Sequence, residues 1–132
     1  MPAYHVRESD LRTCPRLKVP AMYTLLRVGL VDSDKYQWSG HIYDVSLSGM
    51  RFELDGALEP GTRVSVRGML PGGSYTSFRA IGRVIRLHSD ADDLGPATMG
   101  LTFESFNSPM DYERLAVYLA TRGATTAVNR AA

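Results

Sequence analysis

The chain has 132 residues, with 15 Lys and Arg against 14 Asp and Glu and an apolar fraction of 44%. That length suits one domain with one core, and the composition excludes disordered, collagen-like and repeat architectures. A formal net charge of +1 excludes a generic coat for long polyanions, although Arg7, Arg12, Arg16 and Lys18 crowd the N-terminal stretch, where a small anion would meet them.

Residues 1–10 show neither helical nor strand periodicity and predict a flexible N-terminus, followed by an arm over 11–19. From residue 21 onward, stretches rich in Val, Ile, Leu, Tyr, Phe and Thr predict strands over 21–30, 36–45, 49–54, 62–70, 76–88 and 97–104. Met50, Phe52 and Leu54 alternate with Arg51, Glu53 and Asp55, so one face of that strand is apolar and the other wet. Met99, Leu101 and Phe103 repeat the pattern. EPGT at 59–62, PGG at 71–73 and SDADDLGP at 89–96 carry turn chemistry between them.

After the strands, Ser108 as N-cap and Pro109 at the first helical position open a helix over 109–122 that ends before Gly123. Leu115, Tyr118 and Leu119 share one face of it, and a flexible tail is expected over 123–132. The fold class is therefore all-β: a six-stranded antiparallel β-barrel over 20–104 with a C-terminal α-helix and a flexible N-terminal arm.

Two short motifs stand in a fixed order, RTCPR at 12–16 (RxxxR) and DVSLSG at 44–49 (DxSxxG). RxxxR alone occurs by chance in roughly a quarter of chains this long, whereas the ordered pair, placed correctly among the strands, falls near about 1%. The pairing resembles the PilZ domain, a family of bacterial cyclic di-GMP receptors, and the likeness runs from about Leu11 to Thr121, with the late strand MGLTF and the closing helix included.

The resemblance implies a ligand-binding set of Arg12, Arg16, Asp44, Ser46 and Gly49, and no enzyme. It places RxxxR on the segment before the first strand and DxSxxG at the end of a strand, so that the arm folds over cyclic di-GMP held against the barrel. Arginine can bond phosphate bidentately, bond guanine O6 and N7, and stack on a base. The Asp44 carboxylate matches the two donors on the Watson–Crick edge of guanine. Ser46 lies two residues on, on the same side if the chain stays extended, and Gly49 permits either close backbone approach or a positive φ. Leu11, a possible peripheral contact, bears in this family on whether one nucleotide or a stacked pair binds.

Other chemistries find little support. His5, His41 and His88 are far apart and no CxxC or HxxxH spacing occurs, so no metal site and no cofactor is expected. No GxSxG, Walker loop or HExxH is present, and the single cysteine, Cys14, has no evident His partner and permits no intrachain disulfide. The acidic run Asp90, Asp92 and Asp93 lacks the spacing of a calcium loop and reads as a solvated turn. Tyr36, Trp38 and Tyr43 are read as packing residues rather than base-stacking platforms.

The opening residues lack the apolar stretch of a signal segment, and no run approaches the roughly 20 residues of a membrane span, so a cytoplasmic protein without membrane insertion is expected. The expected function is a cyclic di-GMP receptor that signals through a downstream effector protein. The alternative is an interaction adaptor on the same fold that binds no nucleotide, and a nucleic-acid polymer is not an expected partner.

Overall fold

The structure is a computed structural model that describes residues 4–5, 15–72, 75–85 and 97–131, with side chains described over 15–72, 75–85 and 98–122. Its strands are β1 (Tyr4–His5), β2 (Leu17–Lys18), β3 (Leu25–Leu30), β4 (Trp38–Val45), β5 (Gly49–Leu54), β6 (Arg63–Leu70), β7 (Thr76–Ile85) and β8 (Ala97–Phe106), followed by the helix α1 (Pro109–Ala131). The order β8-β5-β4-β3-β6-β7, with β7 pairing back to β8, closes a six-stranded antiparallel barrel. Closure pairs each of the six strands on both sides, apart from the end of β4 that β3 does not reach.

The period-two pattern decides which side chains fill the barrel. Val64, Val66, Gly68 and Leu70 of β6, Phe78, Ala80, Gly82 and Val84 of β7, and Met50, Phe52 and Leu54 of β5 are all buried, while the residues that alternate with them face out. Phe103 packs edge-on to Phe78 with centroids 5.9 Å apart and lies 5.2 Å from Phe106, which in turn meets Tyr112 of α1 at 5.4 Å. Leu115, Tyr118 and Leu119 are buried together on the face expected of them. Trp38 is half-buried against the core cluster, a packing residue as read from the sequence.

The turns follow their chemistry. Glu59-Pro60-Gly61-Thr62 closes with the Thr62 N–H donating to the Glu59 carbonyl at 3.2 Å, and Gly61 takes a φ of 93°. Proline at the second position and a positive-φ glycine at the third define a type II turn.

The structure differs from the sequence reading in several places. Residues 21–23, expected to begin a strand, form a 3-10 turn after Pro20, which fixes its own φ and leaves the strand to start at Leu25. Two-residue strands occur where no periodicity predicts them: β1 pairs with Phe106 and Ser105, and β2 pairs with Val45 and Asp44. Such strands are too short to carry a pattern. The helix runs through Gly123 to Ala131 instead of ending at 122. A glycine stops a helix when its backbone turns left-handed; in helical conformation it costs only about 1 kcal/mol relative to alanine, and Ala124 and Ala127 follow it. Residues 86–88 of the fifth expected strand, Cys14, His88 and the acidic turn at 89–96 lie outside the described residues.

The helix is fixed to the barrel by a buried carboxylate. Asp111 is 1% exposed; its Oδ2 accepts from the Ser108 hydroxyl at 2.6 Å and its Oδ1 accepts from the Arg79 backbone N–H of β7 at 3.0 Å. Its own N–H donates to Ser108 Oγ at 3.2 Å, which completes a reciprocal cap. Asp111→Ala should therefore lower the unfolding free energy by about 1.5–3 kcal/mol, the scale of hydrogen bonds to charged groups, and Asp111→Asn by less. Urea denaturation measures both; an unchanged midpoint in the alanine variant would remove Asp111 from this role.

Candidate functional site

Asp44 lies near the end of β4, where the regular alternation breaks. Ile42 pairs with Phe52 and Asp44 pairs with Arg51, with a register shift between them at Tyr43. In an unbroken strand Asp44 would share the inward face of Ile42. The extra residue reverses the parity: Val45 turns into the core opposite Met50, and Asp44 turns out beside Arg51.

A carboxylate in that position is only 9% exposed and needs partners. Arg16 Nη1 donates to Asp44 Oδ1 at 2.8 Å, and Arg51 Nε lies 3.2 Å from Oδ2, so each oxygen has its own guanidinium. Arg16 reaches Asp44 because β2, directly after it, pairs Lys18 with Asp44 along the part of β4 that β3 does not cover. Both guanidinium side chains are about half exposed, 53% and 47%. Their cationic ends are therefore open to a ligand while the carboxylate is enclosed.

Next to this cluster, the Arg51 guanidinium lies over the Tyr43 ring at 5.7 Å, and the Tyr43 hydroxyl donates to Glu53 Oε2 at 2.6 Å. Tyr43 thus faces outward onto a charged surface rather than into the core.

Ser46 is fully buried, and its hydroxyl is occupied within the turn. Its Oγ lies 2.8 Å from Ser48 Oγ and 3.3 Å from the Gly49 carbonyl, and it accepts from the Ser48 N–H at 3.1 Å. Gly49 uses close backbone approach and not a positive φ: a Cβ there would stand 2.1 Å from the Leu101 carbonyl oxygen of β8. The structure therefore brings Arg16 and Asp44 into contact, with Ser46 and Gly49 shaping the turn that follows. Arg12 and Leu11 lie outside the described residues.

Arg51 is absent from the sequence-derived set. The signal for it was present, since a tight turn over 46–48 pairs Val45 with Met50 and hence Asp44 with Arg51. Among the described residues, no group of three His, Cys, Asp or Glu side chains could hold a metal ion, and no helix is long and apolar enough to cross a membrane.

The family model for the PilZ domain matches residues 10–120, and the chain belongs to the PilZ domain family. Among solved structures it is similar to the inhibitor of motility MotI/DgrA of Bacillus subtilis, with a TM-score of 0.65 and 17% identity over 91% of this chain and 53% of that one. It is also similar to YcgR of Escherichia coli in complex with c-di-GMP, with a TM-score of 0.58 and 21% identity over 92% of this chain and 50% of that one. A third similar structure, the PilZ domain of Escherichia coli YcgR with c-di-GMP, gives a TM-score of 0.53 and 22% identity over 89% of this chain and 97% of that domain. The chain thus spans about half of MotI and of YcgR. No curated protein matches it in sequence.

The tyrosine chemistry is open to titration. The hydrogen bond to Glu53 raises the Tyr43 pKa above its ordinary value near 10, as do burial and the Glu53 charge, against smaller opposing effects of Arg51 and Thr98. Burial also raises Tyr118, whose hydroxyl donates to the Pro71 carbonyl at 2.8 Å, against the Arg122 charge. A raised folded-state value favours the protonated native form, so this stabilisation is complete below the unfolded pKa and is lost as pH rises through the folded one. Ring-carbon NMR should show both tyrosines titrating above about 10, and Glu53→Ala should move Tyr43 down while leaving Tyr118 in place. An unmoved Tyr43 would contradict the assignment.

Proposed function

We propose that the chain is a cyclic di-GMP receptor that acts through a protein partner and carries no enzymatic activity, with residues 11–122 as the receptor unit. The observation that carries this reading is the enclosed Asp44 carboxylate, held by one arginine from the arm and one from the barrel. Family membership and the c-di-GMP complexes of the similar YcgR structures support the choice of ligand.

The Watson–Crick edge of guanine presents an N1 and an N2 donor, and a carboxylate accepts from both. As guanine takes Asp44, the Arg16 guanidinium is displaced from Oδ1 onto a ligand phosphate or the face of a base. Arg51 stays against Oδ2 and keeps the enclosed carboxylate compensated. Arg12, four residues before Arg16, supplies the second cation of the arm, with Leu11 at the periphery. Ser46 and Gly49 contribute by holding the turn; Gly49 lets β5 approach β8 where a side chain would collide.

Ordering the arm costs about 1–2 kcal/mol per residue, which the ligand supplies by bridging arm and barrel. The ordered arm changes the surface offered to the effector. Such a messenger receptor belongs in the cytoplasm.

Titration calorimetry with cyclic di-GMP, beside cyclic di-AMP and GTP, tests the reading. Cyclic di-GMP alone is expected to bind. The absence of heat and of thermal stabilisation at high micromolar concentration would support the non-binding adaptor instead. Arg16→Ala should cost about 1.5–3 kcal/mol of affinity, while Arg51 still meets the enclosed carboxylate and keeps the barrel folded. Asp44→Ala should weaken binding and narrow the preference for guanine over adenine; unchanged discrimination would exclude Asp44 as the base-reading group.

A further inference from the structure

The outer faces of β3, β6 and β7 carry arginines in direct register. Arg27 lies opposite Arg67, and Arg67 opposite Arg79. Four residues along on the same face, Arg63 lies opposite Arg83. All five side chains are exposed. Directly opposed residues of an antiparallel pair have Cβ atoms about 4.5–5.5 Å apart, and like charges at that spacing destabilise the sheet.

Compensation of this array is partial. Glu104 reaches Arg63 at 3.0 Å and Arg83 at 3.8 Å, and Asp111 reaches Arg79 at 3.6 Å. Arg27, at the β3 end of the row, and Arg67, at its centre, make no ion pair among the described residues. Two neighbouring arginines without an acidic partner stand out in a chain whose formal net charge is +1.

In the row next to it on the same face, Leu25 lies opposite Met69, with Ser77 beyond on β7. With Met22, Tyr23 and Tyr75, Leu25 and Met69 line a shallow cleft, and Met22 is 86% exposed and Tyr75 65%. Arginine, tyrosine and methionine are enriched where proteins meet proteins, while lysine is depleted there. The outward residues of these strands include no lysine. A single-stranded nucleic acid would need further cations along its backbone, where this face offers aliphatic and thioether groups. In the closed ring β6 and β7 stand across from β5 and β4, and Arg27 of β3 lies opposite Ser39, five residues along β4 from Asp44, so the face is separate from Asp44.

We propose that this face docks a protein partner through a segment that is acidic and partly apolar. The partner's carboxylates lie along the Arg27–Arg67–Arg79 row, where they relieve the like-charge cost, and its apolar side chains enter the cleft at Leu25 and Met69. This assignment rests on the barrel register and not on nucleotide binding, so its test uses the full chain without nucleotide.

The probe is a fluorescently labelled synthetic peptide of glutamates interspersed with leucines. It is compared with polyglutamate of equal charge, a single-stranded oligodeoxynucleotide and phosphatidylglycerol vesicles. The Glu/Leu peptide is expected to bind most tightly, to weaken with salt, and to lose about tenfold or more in affinity in the Arg27→Gln/Arg67→Gln double variant.

Thermal unfolding provides a second readout. Arg67→Gln alone should unfold at the same or a higher temperature than the native chain, because it removes the central like charge. Failure of the peptide to bind, binding indifferent to the double variant, or tighter binding of the oligonucleotide or the vesicles would each overturn the proposal. A lowered unfolding temperature in Arg67→Gln would overturn its electrostatic premise.

Discussion

The Asp44 carboxylate is the constraint around which the rest of the site is arranged. A carboxylate so far removed from water is costly unless its charge is met, and here each oxygen meets a different arginine. One comes from β5, fixed by the barrel ladder, and the other from the segment before β2. The bulge at Tyr43 makes this possible by turning Asp44 out of the core while Val45 turns in. Without it, the same residue types would place an acid among Ile42, Phe52 and the other side chains that fill the barrel.

Around that site the barrel is closed and the helix is bound to it by Asp111, so the scaffold offers few places to yield. The turn over 46–48 is itself tied down, since the Ser48 carbonyl accepts from the Phe103 N–H at 2.9 Å and the Ser46 N–H donates to the Gly49 carbonyl at 2.8 Å. The barrel side of the site thus stands on a fixed ladder, and its less constrained parts are the short β2 segment and the two half-exposed arginine side chains. Elsewhere on the ring, the arginine row of β3, β6 and β7 has the opposite character, with charge exposed and only partly compensated.

Most of the fold was legible because its signals are local. Alternation in β5, β6 and β8, the Pro60-Gly61 turn and the Ser108-Pro109 helix start each follow from neighbouring residues. The parts that were not legible depend on pairing. The bulge is invisible in DVSLSG because Tyr43 is an extra residue only relative to β5, and β2 is a strand only because β3 leaves the end of β4 unpaired. The roles of Ser46 and Arg51 were obscured for the same reason: extended-chain parity puts Ser46 beside Asp44, whereas the turn buries it and the hairpin register brings Arg51 there instead. Of the site itself, the two motifs named Arg16 and Asp44 as residues of one set, and their direct contact is a product of the β2–β4 pairing. The helix past Gly123 was missed because glycine was taken as a stop without the left-handed backbone that makes it one.

The brevity of β2 bears on reversibility. Two residues pair with the end of β4, the Val19 N–H donates to the Tyr43 carbonyl at 3.0 Å with Val19 itself buried, Leu17 is half-buried, and one ion pair reinforces the contact. At roughly 0.5–1.5 kcal/mol per net hydrogen bond, this ladder is short beside those of the ring strands. The closed six-strand ring does not depend on it. The segment carrying Arg16 is therefore held by less than any strand of the ring, and its release would leave the ladder beneath it intact.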